Sequence, residues 1–480
     1  MHYKSIVYVL GYVLMITGAF MLLPVITGLI YGEFFCALIF LACAAGSALA
    51  GFLLTRLKAR FTVFTVRDGY VSVALSWLTM SVVGALPFTI SGEIPFYLDA
   101  LFEIVSGFTT TGASILSDVE ALSHCMLLWR SFSHWIGGMG VLVFILTILP
   151  MADSGSSFSL MQAESPGPVV SKLVPRLRTS ARHLYGIYLG ITILEIILQA
   201  LGGMPLFDNL CITFGAMGTG GFAVLNSSIA SYSPYLQWVI TIFMLLAGTN
   251  FGLYFLLLYR QWRAAAQMEE VRWYYIIVFT ATLFISLNLL SSGQFHSVRE
   301  VLFQVATIIT TTGYATTDFD LWPSFSKGIL LLLMLLGACA GSTGGGIKVS
   351  RLLIYIKSAF QEVRELTKPR AVRTIRMDGK KLEAPVIKGA LLFLVCYALI
   401  FVGSVLIIQL ENLDLETSFS AVAANLNNIG PGLGLVGPTC NYGFLSPLSK
   451  VVLIFDMLAG RLEVFPILVL LSPATWKRRS

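Results

Sequence analysis

The chain has 480 residues, 56% of them hydrophobic and 12% charged, with a formal net charge of +6 and a mean hydropathy of +0.83. So few charges cannot cover the surface of a soluble protein of this size, which excludes the soluble globular classes.

Apolar runs long enough to cross about 30 Å of hydrocarbon as helices recur from end to end. Every backbone group must be satisfied inside lipid, so the runs predict an all-α polytopic membrane protein. Ten full spans are expected, near residues 5–30, 34–56, 70–92, 126–150, 183–203, 235–258, 273–292, 326–357, 386–410 and 449–472. The first run has no small-residue cleavage site after it and reads as a retained helix. The longest polar loops, near 151–182 and 358–385, leave no room for a soluble domain. Cys36, Cys43, Cys339 and Cys396 fall in apolar runs and read as small core residues. Cys125, Cys211 and Cys440 lie nearer one face, and no spacing pairs them.

The charges orient the spans. Most of the 31 basic residues fall in loops on one side: Lys4; Arg56, Lys58, Arg60 and Arg67; Lys172, Arg176, Arg178 and Arg182; Arg260, Arg263 and Arg272; the run from Lys357 to Lys388; and Lys477, Arg478 and Arg479. Arg130, Arg299, Lys327 and Lys450 fall on the other side. The positive-inside rule then places both termini in the cytoplasm. The opposite face is acidic, with Glu33, Glu93, Asp99, Glu103, Asp118, Glu120, Asp208, Glu300, Asp318, Asp320, Glu411, Asp414 and Glu416. Such a field concentrates cations there. The basic loops favour anionic lipid, and nothing calls for nucleic acid.

Between the spans lies a fourfold repeat. Short segments follow apolar stretches too short to span: Thr109-Thr110-Thr111-Gly112-Ala113, Gly218-Thr219-Gly220-Gly221-Phe222, Thr310-Thr311-Thr312-Gly313-Tyr314 and Asn427-Asn428-Ile429-Gly430-Pro431. An acid stands 13 or 14 residues before each final glycine: Asp99, Asp208, Glu300 and Glu416. Three residues after each acid comes Phe102, Cys211, Phe303 or Phe419. An acid at the start of a short helix complements its dipole, and roughly ten residues of helix reach about half a bilayer. Each unit therefore reads as span, half-helix, re-entrant polar strand, span. Irregular backbone at that depth is tolerated only where protein or a water-filled path surrounds it. A dehydrated monovalent cation needs a ring of oxygens, and backbone carbonyls supply one without side-chain charge. Glycine opens the dihedrals that turn a carbonyl inward. The filter candidates are Thr110, Thr111, Gly112, Thr219, Gly220, Gly221, Thr311, Thr312, Gly313, Asn428, Ile429 and Gly430. The repeats divide the chain into two leading helices (1–60), pore repeat 1 (61–150), a loop and repeat 2 (151–258), repeat 3 (259–357), and a loop and repeat 4 (358–480).

These four loops, with Gly341-Ser342-Thr343-Gly344-Gly345-Gly346-Ile347-Lys348, resemble the Trk/Ktr/HKT superfamily of potassium transporters, most closely its bacterial Trk-type ion-translocating subunit. The resemblance covers nearly the whole chain, and the two leading spans fit the Trk branch. Filter four departs from the Thr-rich pattern but resembles what the family carries there. The resemblance implies potassium uptake across the bacterial inner membrane and no covalently bound cofactor. It also implies a homodimer on a ring of cytosolic RCK-type subunits that bind nucleotides. Gly112, where some members carry Ser, favours potassium; a sodium-permeable member is the alternative.

Three basic residues fall inside spans, where a cation marks function by default. Gly344, Gly345 and Gly346 break the eighth span, and the resemblance implies a pore-obstructing loop there with Lys348 as gate candidate. The alternative is that Lys348 and Arg351 snorkel to the cytoplasmic face. Arg461 reads as a cation barrier in the pore, or as the partner of Asp456 or Glu463. His134 reads as a packed or hydrogen-bonded histidine rather than a proton relay. An intramembrane enzyme using Ser342, His134 or Asp456 is disfavoured, since the sequence has no G-x-S-x-G or H-E-x-x-H arrangement.

Overall fold

The computed structural model describes residues 2–56, 65–140, 177–367 and 374–477. Lys58, Arg60, Lys172, Arg176, Lys368, Arg370, Arg373, Arg478 and Arg479, and the second half of the expected span 126–150, lie outside the described residues.

The leading unit is α1 (Tyr3–Phe20), α2 (Leu22–Tyr31) and α3 (Phe34–Thr55). α1 and α2 run on as one apolar span. The seam against α3 is built on small residues that let two backbones touch. A methyl on Gly11 would stand 2.8 Å from the carbonyl oxygen of Gly51, and one on Gly18 would stand 2.7 Å from that of Ala44. α4 (Val66–Ser91) opens with a capping box of Thr65 and Asp68, and His2 donates its backbone N–H to Asp68 at 3.3 Å. The starts of α1 and α4 therefore share one face.

Four short helices follow the expected register: α5 (Tyr97–Phe108), α8 (Leu206–Gly218), α13 (Val298–Ile309) and α17 (Leu415–Leu426). They carry Asp99, Asp208, Glu300 and Glu416 in their first turns. The longer elements around them are α6 (His124–Met139), α7 (Leu177–Leu201), α9 (Pro234–Ala247), α10 (Phe251–Leu258), α12 (Glu269–Ser291), α14 (Ser324–Leu336), α15 (Val349–Thr367), α16 (Ala384–Ile408), α18 (Pro447–Arg461) and α19 (Phe465–Leu471), with α11 (Trp262–Ala266) as a short connector.

Among the described residues, three expected spans break into pieces that do not run on as one helix. The run 235–258 bends by 90° between α9 and α10, where Asn250 caps the second piece by accepting from Gly252 N–H at 2.8 Å. The run 326–357 stops at Leu336, passes through irregular backbone with Gly337, Gly341, Gly346 and Lys348 at positive φ, and restarts at Val349. The run 449–472 breaks after Arg461, where Glu463 and Val464 adopt φ of 52° and 69°. Part of the polar stretch 358–385 is ordered as well: α15 extends to Thr367, and Arg376–Met377 pairs antiparallel with Lys380–Lys381. Among the described residues, six helices are long and apolar enough to cross a membrane, or seven with the bent pair. The fold is that of a polytopic all-α membrane protein. The broken spans are where polar and glycine residues converge on the centre.

Candidate functional site

Each short helix ends in the same backbone motif. The N–H groups of Thr111, Gly220, Thr312 and Ile429 donate to the carbonyls of Ser106, Gly215, Thr307 and Ala424, at 2.8, 2.8, 2.8 and 2.7 Å. One residue earlier, Thr110, Thr219, Thr311 and Asn428 donate to Gly107, Ala216, Ile308 and Asn425. This pair of bonds is a Schellman cap, which requires a left-handed residue and usually takes glycine. Here the left-handed residues are Thr110, Thr219, Thr311 and Asn428, with φ of 55°, 55°, 59° and 56°. A β-branched residue in that region is an outlier. Three in equivalent positions mark strain that the surrounding structure holds in place. Two residues on, Gly112, Gly221, Gly313 and Gly430 are left-handed again, with φ of 79°, 83°, 89° and 95°.

The glycines show how the strands meet. A Cβ on Gly112 would run into the carbonyl oxygen of Gly220, one on Gly221 into that of Thr312, and one on Gly313 into that of Ile429. One on Gly430 would stand 2.6 Å from the carbonyl oxygen of Thr111. The contacts pass from repeat 1 to 2, 2 to 3, 3 to 4, and 4 back to 1. They form a closed cycle. Eight of the twelve filter candidates make these contacts, and the other four, Thr110, Thr219, Thr311 and Asn428, are the left-handed residues just before them.

Behind the strands the four repeats are supported differently. The Thr109 and Thr111 hydroxyls pair at 2.8 Å, and the Thr310 and Thr312 hydroxyls at 2.7 Å. Repeat 2 has Gly218 and Gly220 instead, because His134 fills that space, its ring against Gly220 and its backbone carbonyl against Gly218. Phe222 N–H donates to His134 Nε2 at 3.2 Å, so Nδ1 carries the proton and donates to the Gly107 carbonyl at 2.8 Å. His134 is thus a neutral bridge between repeats 1 and 2. In repeat 4, Asn428 Nδ2 donates to Thr111 Oγ1 at 3.0 Å and to the Met457 carbonyl at 2.9 Å. Tyr314 donates its hydroxyl to the Ile212 carbonyl at 3.0 Å, joining strand three to the back of repeat 2.

The glycine loop lies against the helix-side ends of the strands. Gly345 N–H donates to Thr311 Oγ1 at 2.7 Å, and a Cβ on Gly345 would collide with the Asn427 carbonyl. The bend in the run 235–258 frees carbonyls that the loop uses. Thr343 Oγ1 donates to Ala247 at 3.1 Å, and Cys339 N–H donates to Gly248 at 3.1 Å. Lys348 is buried and folds back on the Gly344 carbonyl. Arg351 is buried too, paired with Glu463 and stacked 4.1 Å from the Phe393 ring centroid. Neither reaches out to a membrane face. Arg461 donates to the Thr343 carbonyl at 2.7 Å, to the Gly138 carbonyl at 2.9 Å, to the Gly137 carbonyl, and to Thr110 Oγ1 at 3.4 Å. These hydrogen bonds tie it to the loop and to repeat 1, while Asp456 accepts from Ser404 at 2.7 Å.

On the acidic face, Glu103 departs from expectation. It is fully buried, paired with Arg130 at 2.7 Å, and accepts from Ser114 Oγ and Ile115 N–H just beyond strand one. It braces the strand instead of facing solvent. Asp99 pairs with Lys450 at 2.7 Å and Glu416 with Lys327 at 2.8 Å. Asp118 accepts from Asn226 at 2.8 Å and Asp318 from Thr439 at 3.4 Å, so these acids tie the loops beyond the strands together. The left-handed threonines and the contacts of Glu270 described below had no signature in the sequence.

The chain matches the family model TrkH, a cation transport protein, over residues 36–272 and 262–478. It is 35% identical to the Trk system potassium uptake protein TrkH of Salmonella typhimurium, over 99% of this chain and 100% of that one. It is 33% identical to the Trk system potassium uptake protein TrkG of Escherichia coli, over 99% of each. Among solved structures it is similar to the crystal structure of the potassium transporter TrkH from Vibrio parahaemolyticus, with a TM-score of 0.87 and 33% identity over 99% of this chain and 100% of that chain.

Proposed function

The chain belongs to the TrkH family of cation transport proteins, and from that premise we propose that it takes up potassium across the bacterial inner membrane through the centre of the four-strand cycle. As a multi-pass transport protein it supplies a path and not a reaction. The observation that carries this reading is the closed cycle of glycine-to-carbonyl contacts. Such a cycle leaves the backbone oxygens of Thr111, Gly220, Thr312 and Ile429 at equivalent places around one axis. Carbonyl rings replace a cation's hydration shell without binding it too tightly to leave. The C-terminal ends of the four half-helices aim their negative dipole ends at the same centre.

The remaining parts of the proposal rest on the charge pattern of the sequence and on the resemblance to the family. The acidic loops face the periplasm and raise the local cation concentration. Both termini and the basic loops face the cytoplasm. Gly344, Gly345 and Gly346 close the inner end of the filter, with Lys348 locking the loop on itself. Arg461 ties that loop to repeat 1 and sets a cationic barrier. A cytosolic nucleotide-binding subunit docks on the basic side, and two copies of the chain form the working unit. The test is ion uptake by purified protein in liposomes, comparing potassium, rubidium, sodium and lithium. Potassium and rubidium should enter and lithium should not. Equal rates for all four would overturn the filter reading.

A further inference from the structure

The start of α12 lies where the glycine loop meets α15. Glu270, one residue into α12, is 5% exposed. Its Oε1 accepts from the backbone N–H of Ala340 at 2.6 Å and from that of Ser350 at 3.0 Å, and its Oε2 accepts from Asn250 Nδ2 at 3.4 Å. Ala340 and Ser350 bracket the loop, so one oxygen holds both of its ends. Asn250 is the residue that caps α10 after the 90° bend, and the adjoining Phe251 N–H donates to the Gly341 carbonyl at 3.0 Å. Ser350 is the second residue of α15, and its N–H has no acceptor within that helix. A carboxylate at that point also meets the positive end of the α15 dipole.

The neighbouring residue grips the same helix further along. Glu269 pairs with Lys357, and Lys357 Nζ also donates to the Arg376 carbonyl at 2.8 Å. Glu269 N–H donates to Asp378 Oδ1 at 2.8 Å. Residues 350 and 357 are two turns apart on one face of α15. The first two residues of α12 therefore tie together the loop, α15 and the hairpin that ends the basic stretch 358–385.

We propose that Glu270 is the positioning residue of the gate: its carboxylate clamps both ends of the glycine loop to the start of α15, so that a pull on α15 reaches the loop through this side chain. The proposal rests on the reading of the loop as a gate. While the clamp holds, the two ends cannot separate, and Gly345 stays against Thr311. A load on the 358–385 stretch passes along α15 and first separates Ser350 from Glu270. Ala340 N–H then keeps Glu270 Oε1 to itself, and the loop is no longer tied to the start of α15 through that carboxylate.

Cys339, fully buried beside Ala340, is a native reporter of loop release, and Cys211, fully buried in α8, is the control. Full-length Glu270→Ala and the near-isosteric Glu270→Gln are reconstituted without any partner protein. N-ethylmaleimide labelling is mapped by peptide mass, and rubidium flux is measured on the same samples. Loss of a charged hydrogen bond should speed Cys339 labelling by about tenfold or more in Glu270→Ala, and by less in Glu270→Gln. Cys211 should stay protected. Rubidium flux should rise with its half-saturating concentration unchanged, because the filter is untouched. Cys339 as protected as in the parent protein, in both variants, overturns the clamp whatever the flux does. Cys339 labelled at parental flux supports the clamp and overturns the gate reading instead. If the alanine variant fails to assemble, the glutamine variant decides alone.

Discussion

A single methyl placed in turn at Gly112, Gly221, Gly313 and Gly430 tests the cycle of strands. Each glycine is left-handed, with φ between 79° and 95°, and an alanine there costs on the order of 1–3 kcal/mol of backbone strain. The methyl also needs room. At Gly430 it would stand 2.6 Å from the Thr111 carbonyl oxygen, and at the other three it would stand closer still to the carbonyl of the next repeat. That carbonyl must yield by about 0.5–1 Å, the scale at which a preorganised site fails. At about 1.4 kcal/mol per tenfold, the preference for potassium over sodium should fall roughly 10- to 100-fold for Gly112→Ala, Gly221→Ala and Gly313→Ala. Gly430→Ala should be the mildest. The assay is the ratio of rubidium to sodium uptake in liposomes, on variants that purify as the parent does. An unchanged ratio at the three tight positions would refute the assignment. A Gly430→Ala effect larger than the rest would show that carbonyl displacement is not what sets selectivity.

Arg461→Ala removes the bonds from α18 to Thr343, Gly137 and Gly138, so rubidium flux without a partner should rise by about tenfold; parental flux in well-expressed protein would remove Arg461 from the barrier. Asp318→Asn with Asp320→Asn should raise the half-saturating potassium concentration at low ionic strength, and the shift should shrink in an impermeant salt because screening acts over about 10 Å at 0.1 M. A shift independent of salt would mean that these acids act by tying loops together, as Asp318 does with Thr439. Glu103→Gln strands the buried Arg130 and should cost about 3–5 kcal/mol of stability, read as a lower melting temperature in detergent. Adding Arg130→Met should restore part of it, and a double variant worse than the single would contradict the pairing.

The repeat was legible because its parts are local: an acid, an apolar half-helix and a glycine in fixed register. Four copies of that register carried the argument that no single copy could. The break of the eighth span was legible in Gly344, Gly345 and Gly346, whereas the interruptions at Gly248 and Leu462 were not. Hydropathy reports whether a segment is apolar, and these segments are apolar on both sides of the break. What bends them is a set of hydrogen-bond partners elsewhere in the chain, such as the loop N–H groups of Thr343 and Cys339 that donate to the Ala247 and Gly248 carbonyls. Glu103 misled for the same reason. An acid close to an outer loop reads as a mouth charge until Arg130, 27 residues later, turns out to lie beside it in the interior. Lys348 and Arg351 could have snorkelled by length, and only the fold shows that the Gly344 carbonyl and Glu463 hold them inside.

Joining the four repeats in one chain has a physical consequence that a symmetric assembly would not share. The inner surface of the cycle can stay near-equivalent while the outer supports differ. Strands one and three are braced by paired threonine hydroxyls, strand two by His134, and strand four by Asn428 against Met457. His134 can serve only as the neutral tautomer, because Phe222 N–H already occupies Nε2; a proton there would set two donors face to face. The same asymmetry lets one repeat alone carry the glycine loop. The glycine loop comes from repeat 3, Arg461 from repeat 4, and both converge on Thr343. A gate made from one copy each of two different elements can be released by one contact, whereas four identical gates would need four. On the proposed reading, the release point is a single carboxylate, Glu270, which joins the loop to α15 from outside the filter.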